Sequence, residues 1–290
     1  MVSDSSPWLS YVMATTNLIS STESMAREAG ALLLEKFKQR IGFTYKGDAD
    51  LVTAADKASE KLITDRIRKE FPGHDLFGEE GTRSNTGSEY RWYIDPLDGT
   101  TNFAHGFPVF CVSLGLEFRG ERIAGVVYDP TRNEVFAAEK GSGAFLNGER
   151  IKVSKVDNLA ECLTATGFPS HKRHKNPNIF FYHVITLKTH GVRRAGSAAL
   201  DLAYVAAGRL DAFWEFNLNP WDTAAGVVLV QEAGGKVTQF DGSGWLLDSK
   251  ETLASNGLVH QEMIKVMTDV FEGRDLPKLP NAMEYAKIRR

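Results

Sequence analysis

Residues Trp92–Phe103 read WYIDPLDGTTNF, placing two carboxylates, a glycine and two threonines within one short stretch. Trp92, Tyr93 and Ile94 are the aromatic and β-branched residues of a strand, and Pro96 and Gly99 interrupt it. The strand is therefore expected to end at Asp95, with the chain turning into a helical first turn that lets Asp95 and Asp98 face one point. Two converging carboxylates repel each other unless a cation lies between them. Gly99 admits a ligand close to the backbone, and the N–H groups of Gly99, Thr100 and Thr101 at a helix start are donors for phosphate oxygens. Together these groups suit metal-assisted hydrolysis of a phosphate ester. On the residues alone, an Asp-Pro turn followed by a capping Asp fits the same letters.

Further acids stand at similar junctions. Thr53 and Asp56 have the spacing of a capping box at the start of a helix. Gly78-Glu79-Glu80 follows the helix stop Phe71-Pro72-Gly73, where acidic pairs are commonly just solvated. Pro220-Trp221-Asp222 opens an Ala- and Val-rich helix, for which Asp222 is also a serviceable cap. Ala195-Gly196-Ser197-Ala198 is another small-residue loop opening a helix. His105, between Ala104 and Gly106, reads as part of a turn rather than as a general base.

The segment DPLDGTTNF resembles the first signature of the inositol monophosphatase family of Mg2+-dependent, lithium-sensitive phosphatases, and PWDTAAG at 220–226 resembles the second. Gly78-Glu79-Glu80 and the stretch Asp50–Asp56 match two upstream motifs in the family's order. The resemblance implies two to three Mg2+ ions. Glu79, Asp95 and the Leu97 carbonyl would hold the first, Asp95, Asp98 and Asp222 the second, and Glu79 would help hold a third. It gives catalytic roles to Glu79, Asp56 and Thr100, the last two orienting a water that attacks phosphorus in line, with Glu80 in support. It assigns substrate contacts to Asp98, Gly99, Thr100, Gly196, Ser197, Ala198, Glu215 and Asn219. Asn219 stands where many animal members carry His. The implied reaction converts inositol-1-phosphate to myo-inositol and phosphate, and the implied working form is a homodimer. Relatives with the same motifs hydrolyse fructose 1,6-bisphosphate, histidinol phosphate or 3′-phosphoadenosine 5′-phosphate. A member acting through RNA or protein partners is the alternative from another class.

These groups need a sizeable scaffold, and 290 residues with 42% hydrophobic content can bury a core without a partner. A net charge of −3 leaves no basic footprint for nucleic acid. Cys111 and Cys162 form no metal spacing and suit a reduced, cytoplasmic setting. No apolar run is long enough for a membrane span, and the N-terminus lacks the charged and apolar regions of a signal peptide.

Residues 1–20, rich in Ser and Thr, are expected to be a weakly ordered arm. A first helix then starts near Thr22, with Met25, Ala29, Leu32, Leu33 and Phe37 on one face. A second helix runs from Thr53 through Leu62, Ile63 and Ile67. A short strand at 74–77 and a mobile loop at 81–90 lead to the central turn. Strands at 107–118, 123–128 and 134–139 read as an antiparallel meander. From Leu163 strands and helices alternate. The expected architecture is an α/β layered αβαβα sandwich forming a single catalytic domain over 20–272. Its α+β half covers 20–155, its α/β half 156–272, and an exposed tail occupies 273–290.

Overall fold

A computed structural model describes residues 7–39, 43–47, 50–168, 176–274 and 276–278. Helix α1 (Pro7–Lys38) is followed by a hairpin, β1 (Phe43–Gly47) and β2 (Asp50–Thr53), and by α2 (Ala54–Glu70). The first helix thus begins fifteen residues before Thr22, against the expectation of a loose arm up to residue 20. Pro7 suits a first helical position, where its missing N–H costs nothing. Further along, the Thr22 hydroxyl bonds one turn back to the Leu18 carbonyl at 2.7 Å. Residues 1–6 of the expected arm and 279–290 of the expected tail lie outside the described residues.

Seven strands then form one sheet in chain order: β3 (Asp75–Gly78), β4 (Tyr90–Asp98), β5 (Cys111–Phe118), β6 (Glu121–Asp129), β7 (Glu134–Glu139), β8 (Gly143–Leu146) and β9 (Glu149–Ile151). Only β3 and β4 run parallel, and the remainder is the expected antiparallel meander, extended by two strands. A single-turn helix, α3 (Thr100–Ala104), connects β4 to β5.

The second sheet is built from β10 (Leu163–Thr166), β11 (Gly191–Arg193), β12 (Ala212–Phe216), β13 (Lys236–Thr238) and β14 (Glu251–Ser255), in the order β11-β10-β12-β14-β13. Its first three strands are parallel, as the strand and helix alternation requires. The intervening helices are α4 (Asn178–Lys188), α5 (Ala198–Ala206), α6 (Pro220–Glu232) and α7 (His260–Phe271).

Alternation along each strand sorts side chains into three apolar layers. On β6, Val126 joins Met25, Leu33, Ile63 and Trp92 under α1 and α2. Its neighbour Val127 faces the opposite way, toward Leu202, Val228 and Phe213 around α5 and α6. On β12, Phe213 belongs to that middle layer, whereas Ala212, Trp214 and Phe216 pack outward against Phe181 of α4 and Met263 of α7. Two helices, a sheet, two helices, a sheet and two helices follow in turn, which is the αβαβα sandwich read from the sequence.

Helix α6 comes unusually close to the first sheet. Gly115 and Gly125 are cross-strand partners on β5 and β6. A Cβ added at Gly115 would stand 2.6 Å from Ala224 Cβ, and one at Gly125 2.5 Å from the Ala225 carbonyl oxygen. The bare backbone pair is the seat on which the first turns of α6 rest.

Candidate active site

The central stretch does not turn where expected. Strand β4 continues through Asp95 to Asp98, and the helix starts only after Gly99, whose φ of 96° a side chain would disfavour. Asp95 pairs with Ser113 and Asp98 with Cys111, so Pro96 and Leu97 together oppose the single Val112. Residues three apart on a regular strand face opposite ways, and this bulge returns both carboxylates to one face. Pro96 has no N–H to lose from the ladder, and the Leu97 N–H is taken up by Asp95 Oδ1 at 3.0 Å. The convergence expected of a helical turn is achieved by a bulged strand.

Three other segments bring groups to the same place. The Glu79 N–H donates to the Ile94 carbonyl at 3.1 Å, docking the Glu79 turn beside β4. Glu60, buried on α2, receives the N–H of Glu80 at 2.8 Å and of Thr82 at 3.0 Å. Asp222, in the first turn of α6, accepts the Asn219 N–H on Oδ2 at 2.7 Å. Asp98 Oδ2 accepts the Ser197 hydroxyl and the Ala199 N–H, both at 2.7 Å, tying β4 to the start of α5. Thr100 Oγ1 lies 3.0 Å from Asp56 Oδ1 and 3.0 Å from the Leu97 carbonyl oxygen. A hydroxyl has one proton to give, so only one of these two contacts is a donated hydrogen bond at a time.

Burial first, and then the neighbouring charges of Glu79, Asp98 and Asp222, push the Asp95 carboxyl well above the usual range. Asp222 is pushed up to about 8 by burial and by Asp98, against the lowering effect of the Asn219 N–H. Asp98 is raised by burial despite its hydrogen bonds. No basic side chain figures among the principal charges acting on these three aspartates. Their donor set, carboxylates plus the Leu97 carbonyl, is all oxygen and suits a hard divalent cation. Among the described residues no three His, Cys, Asp or Glu side chains already surround a common point. All three aspartates have an oxygen engaged by the scaffold, Asp95 Oδ1 with Leu97, Asp98 Oδ2 with Ser197 and Ala199, and Asp222 Oδ2 with Asn219.

Beside the cluster opens a cleft of ≈ 200 Å³. It brings together most of the expected residues: Glu79, Asp98, Gly99, Thr100, Gly196, Ser197, Ala198, Glu215 and Asp222 all line it. Asp95 and Asp56 lie buried behind this lining. Asn219 is not among the lining residues; its N–H and its side-chain amide turn to Asp222. Arg194, just ahead of the Ala195-Gly196 loop, also lines the cleft. It opposes the effect of burial on Glu215, pushed up to about 8, and on Asp201, raised well above the usual range. His105 is the exposed C-cap of α3, outside the lining.

Several contributors escaped the sequence reading. Asn102 Nδ2 reaches the carbonyls of Val109 and Ala195, each at 2.8 Å, stitching α3 to the loop before α5. Asp201 is the lone acid within AALDLAYVA, a signal that could have marked it. Glu60 sits on the Ser59, Ile63 and Ile67 stripe of α2, where an apolar residue is the norm. The 81–90 loop, expected to be mobile, is pinned by Asp75, whose carboxylate takes the N–H groups of Thr86 at 2.8 Å and Ser88 at 3.2 Å.

This geometry has counterparts. The chain is 46% identical over 239 residues to the Nus factor SuhB of Pseudomonas aeruginosa, covering 80% of this chain and 88% of that one. It is 42% identical over 254 residues to the fructose-1,6-bisphosphatase/inositol-1-monophosphatase of Thermotoga maritima, covering 86% and 94%. The solved inositol monophosphatase from Anabaena superposes with a TM-score of 0.80 at 42% identity, over 88% of this chain and 97% of that one. A model of the inositol monophosphatase family matches residues 15–270, a span that contains every carboxylate of the cluster. Bulged strand, acidic cluster and layered sandwich accordingly make this chain a phosphatase belonging to the inositol monophosphatase family.

Proposed function

We propose that the cleft hydrolyses inositol-1-phosphate to myo-inositol and phosphate with Mg2+, by direct attack of water on phosphorus. The observation that carries this reading is the convergence of Glu79, Asp95, Asp98 and Asp222, whose neighbouring charges raise Asp95, at a cleft that Glu215 also lines. Those carboxylates and the Leu97 carbonyl would hold two or three Mg2+ ions, which would supply the charge that acidifies water, offsets the phosphate's negative oxygens and stabilises the departing inositol alkoxide until solvent protonates it. Thr100 donates a hydrogen bond to Asp56, which turns a lone pair of the hydroxyl toward the attacking water; as the water attacks, its proton passes to Thr100 Oγ1 while the Thr100 proton passes to Asp56, so the hydroxyl is restored. The backbone N–H groups of Gly99, Thr100 and Thr101 meet the phosphate oxygens. Glu215 accepts ring hydroxyls, while Gly196, Ser197 and Ala198 form the wall against which the ring rests. Ser197 keeps its hydroxyl on Asp98, so its part is alignment. Neither cysteine faces this step as a nucleophile: Cys111 and Cys162 are buried thiols, and burial raises both.

Fructose 1,6-bisphosphate is the second reading, favoured by Arg194 on the same wall as Glu215 and by the name of the Thermotoga relative. A panel of inositol-1-phosphate, fructose 1,6-bisphosphate, histidinol phosphate and 3′-phosphoadenosine 5′-phosphate, assayed at equal concentration, tests both. A kcat/KM at least tenfold above the others for inositol-1-phosphate is expected, and a preference for the bisphosphate would replace the first reading by the second. Turnover should need Mg2+, fall at high Ca2+ and be inhibited by Li+; full activity in excess chelator is incompatible with the proposal. We also assign a cytoplasmic homodimer as the working form, checked by light scattering and by fractionation. Among the described residues no helix is long and apolar enough to cross a membrane.

A further inference from the structure

Glu79 and Asp222 reach the cluster from different layers, one on the turn after β3 and the other on α6, and among the described residues no backbone hydrogen bond joins the two segments. Side chains supply the link. Phe77, two residues before Glu79, lies 5.5 Å from the ring of Trp221, the residue before Asp222. Over this pair lies Arg83, from the loop that follows Glu79, with its guanidinium carbon 3.9 Å from the Phe77 centroid and 5.1 Å from the Trp221 centroid. The same guanidinium donates to the Gly78 carbonyl and, at 2.8 Å, to the Thr82 carbonyl. One planar cation therefore grips the backbone on the N-terminal side of Glu79 and covers the aromatic ring preceding Asp222. Isolated surface arginines are costly to order, and an arginine held by two carbonyls and two rings has lost that freedom to a defined position.

We propose that Arg83 is a positioning residue that braces Glu79 against Asp222 and so sets the affinity of the acidic cluster for its divalent cation. This rests on the reading of Glu79 and Asp222 as cation ligands. Arg83 does not line the cleft, so it touches neither substrate nor attacking water. Its contribution belongs in the Mg2+ dependence and not in the rate of the loaded enzyme.

The test compares the wild type with Arg83→Ala and Arg83→Lys. Mg2+ binding is followed without substrate by calorimetric titration and by tryptophan fluorescence, alongside kcat as a function of Mg2+. Arg83→Ala should raise the Mg2+ dissociation constant about five- to tenfold, the worth of two such ring contacts. Its kcat at saturating Mg2+ should stay within about twofold. Arg83→Lys keeps the charge but loses the flat donor fork, and should recover less than half of that loss. An unchanged Mg2+ affinity in Arg83→Ala would overturn the brace, and so would a fall in saturated kcat at constant affinity. Full recovery by lysine would overturn it as well, by showing that charge alone suffices. Should Arg83→Ala misfold, Trp221→Leu, which removes the covered ring, must raise the same dissociation constant or the brace is refuted. If the wild type itself needs no divalent cation, the phosphatase reading falls first and takes the brace with it. A wild type that needs Mg2+ and an Arg83→Ala variant that binds it equally well defeat the brace alone.

Discussion

Replacing Thr100 by alanine separates chemistry from architecture at the central turn. The hydroxyl makes two contacts, to Asp56 Oδ1 and to the Leu97 carbonyl, each at 3.0 Å. The helix it opens is one turn long and is capped by Gly99 without a side-chain bond, so no cap is lost with the hydroxyl. One hydrogen bond disappears from a partly buried site, a cost of about 1 kcal/mol. For a chain of this size that lowers the thermal midpoint by about 2–4 °C. Chemistry should suffer far more, because without the hydroxyl Asp56 is fully buried and has no relay to the attacking water. Positioned proton transfer of this kind contributes about 10²- to 10⁴-fold, and kcat should fall by that factor with Mg2+ affinity unchanged. Thr100→Ser retains the hydroxyl and should keep most of the rate. Steady-state kinetics across a Mg2+ series, with scanning calorimetry on the same three proteins, gives all the quantities needed. A Thr100→Ala enzyme that melts a few degrees early yet turns over within threefold of wild type would refute the relay and leave the residue a structural hydroxyl.

Glu79→Gln should cost about 10²- to 10³-fold in kcat/KM through lost charge in the cluster, whereas Glu80→Gln, outside the cleft lining, should stay within a few-fold; equal impairment would remove the distinction between the neighbours. Gly78→Ala would set a Cβ 2.4 Å from Glu60 Oε2, displacing the carboxylate from the N–H groups of Glu80 and Thr82. A loss of about 1–3 kcal/mol in chemical denaturation, with weaker Mg2+ binding, is expected, and wild-type stability would show that the turn is not held from α2. Glu215 and Asp222, pushed up to about 8, bind protons in the folded protein that the unfolded chain has released above about pH 4 to 5. Their stabilisation is therefore present at low pH and lost as pH rises through the folded value. The metal-free melting midpoint should decline from about pH 5 to 8, and saturating Mg2+ should flatten the decline; a midpoint that climbs over that window contradicts the assigned shifts.

The motifs that define the site were legible because each pairs a chemical group with a local break in structure. Asp95, Asp98 and Asp222 announce themselves beside Pro96, Gly99 and Pro220. The strand and helix alternation after Leu163 was equally plain, since buried parallel strands and apolar helices leave few alternatives. How Asp95 and Asp98 come to share a face was not legible: a bulge depends on what the partner strand does at Val112, and no local pattern reports that. Glu60, Asn102 and Arg83 were missed for a related reason. Each acts on residues distant in the chain or on backbone atoms, and a carboxylate serving two N–H groups reads in sequence like any solvated acid. The early start of α1 was hidden because the preference of Ser and Thr for non-helical conformations is only a weak prior on a helix of this length.

The glycine pair at 115 and 125 gives the cluster a dimension that no ligand controls. Asp95 is carried by the sheet and Asp222 by a helix, and the thickness of material between those two supports is the gauge that sets the distance between the two carboxylates. Here the gauge is zero side chains, backbone resting on methyl and carbonyl groups of Ala224 and Ala225. The spacing of the two acids is then governed partly by two residues that have no functional group, lie outside the cleft lining, and contribute nothing an alanine scan could remove.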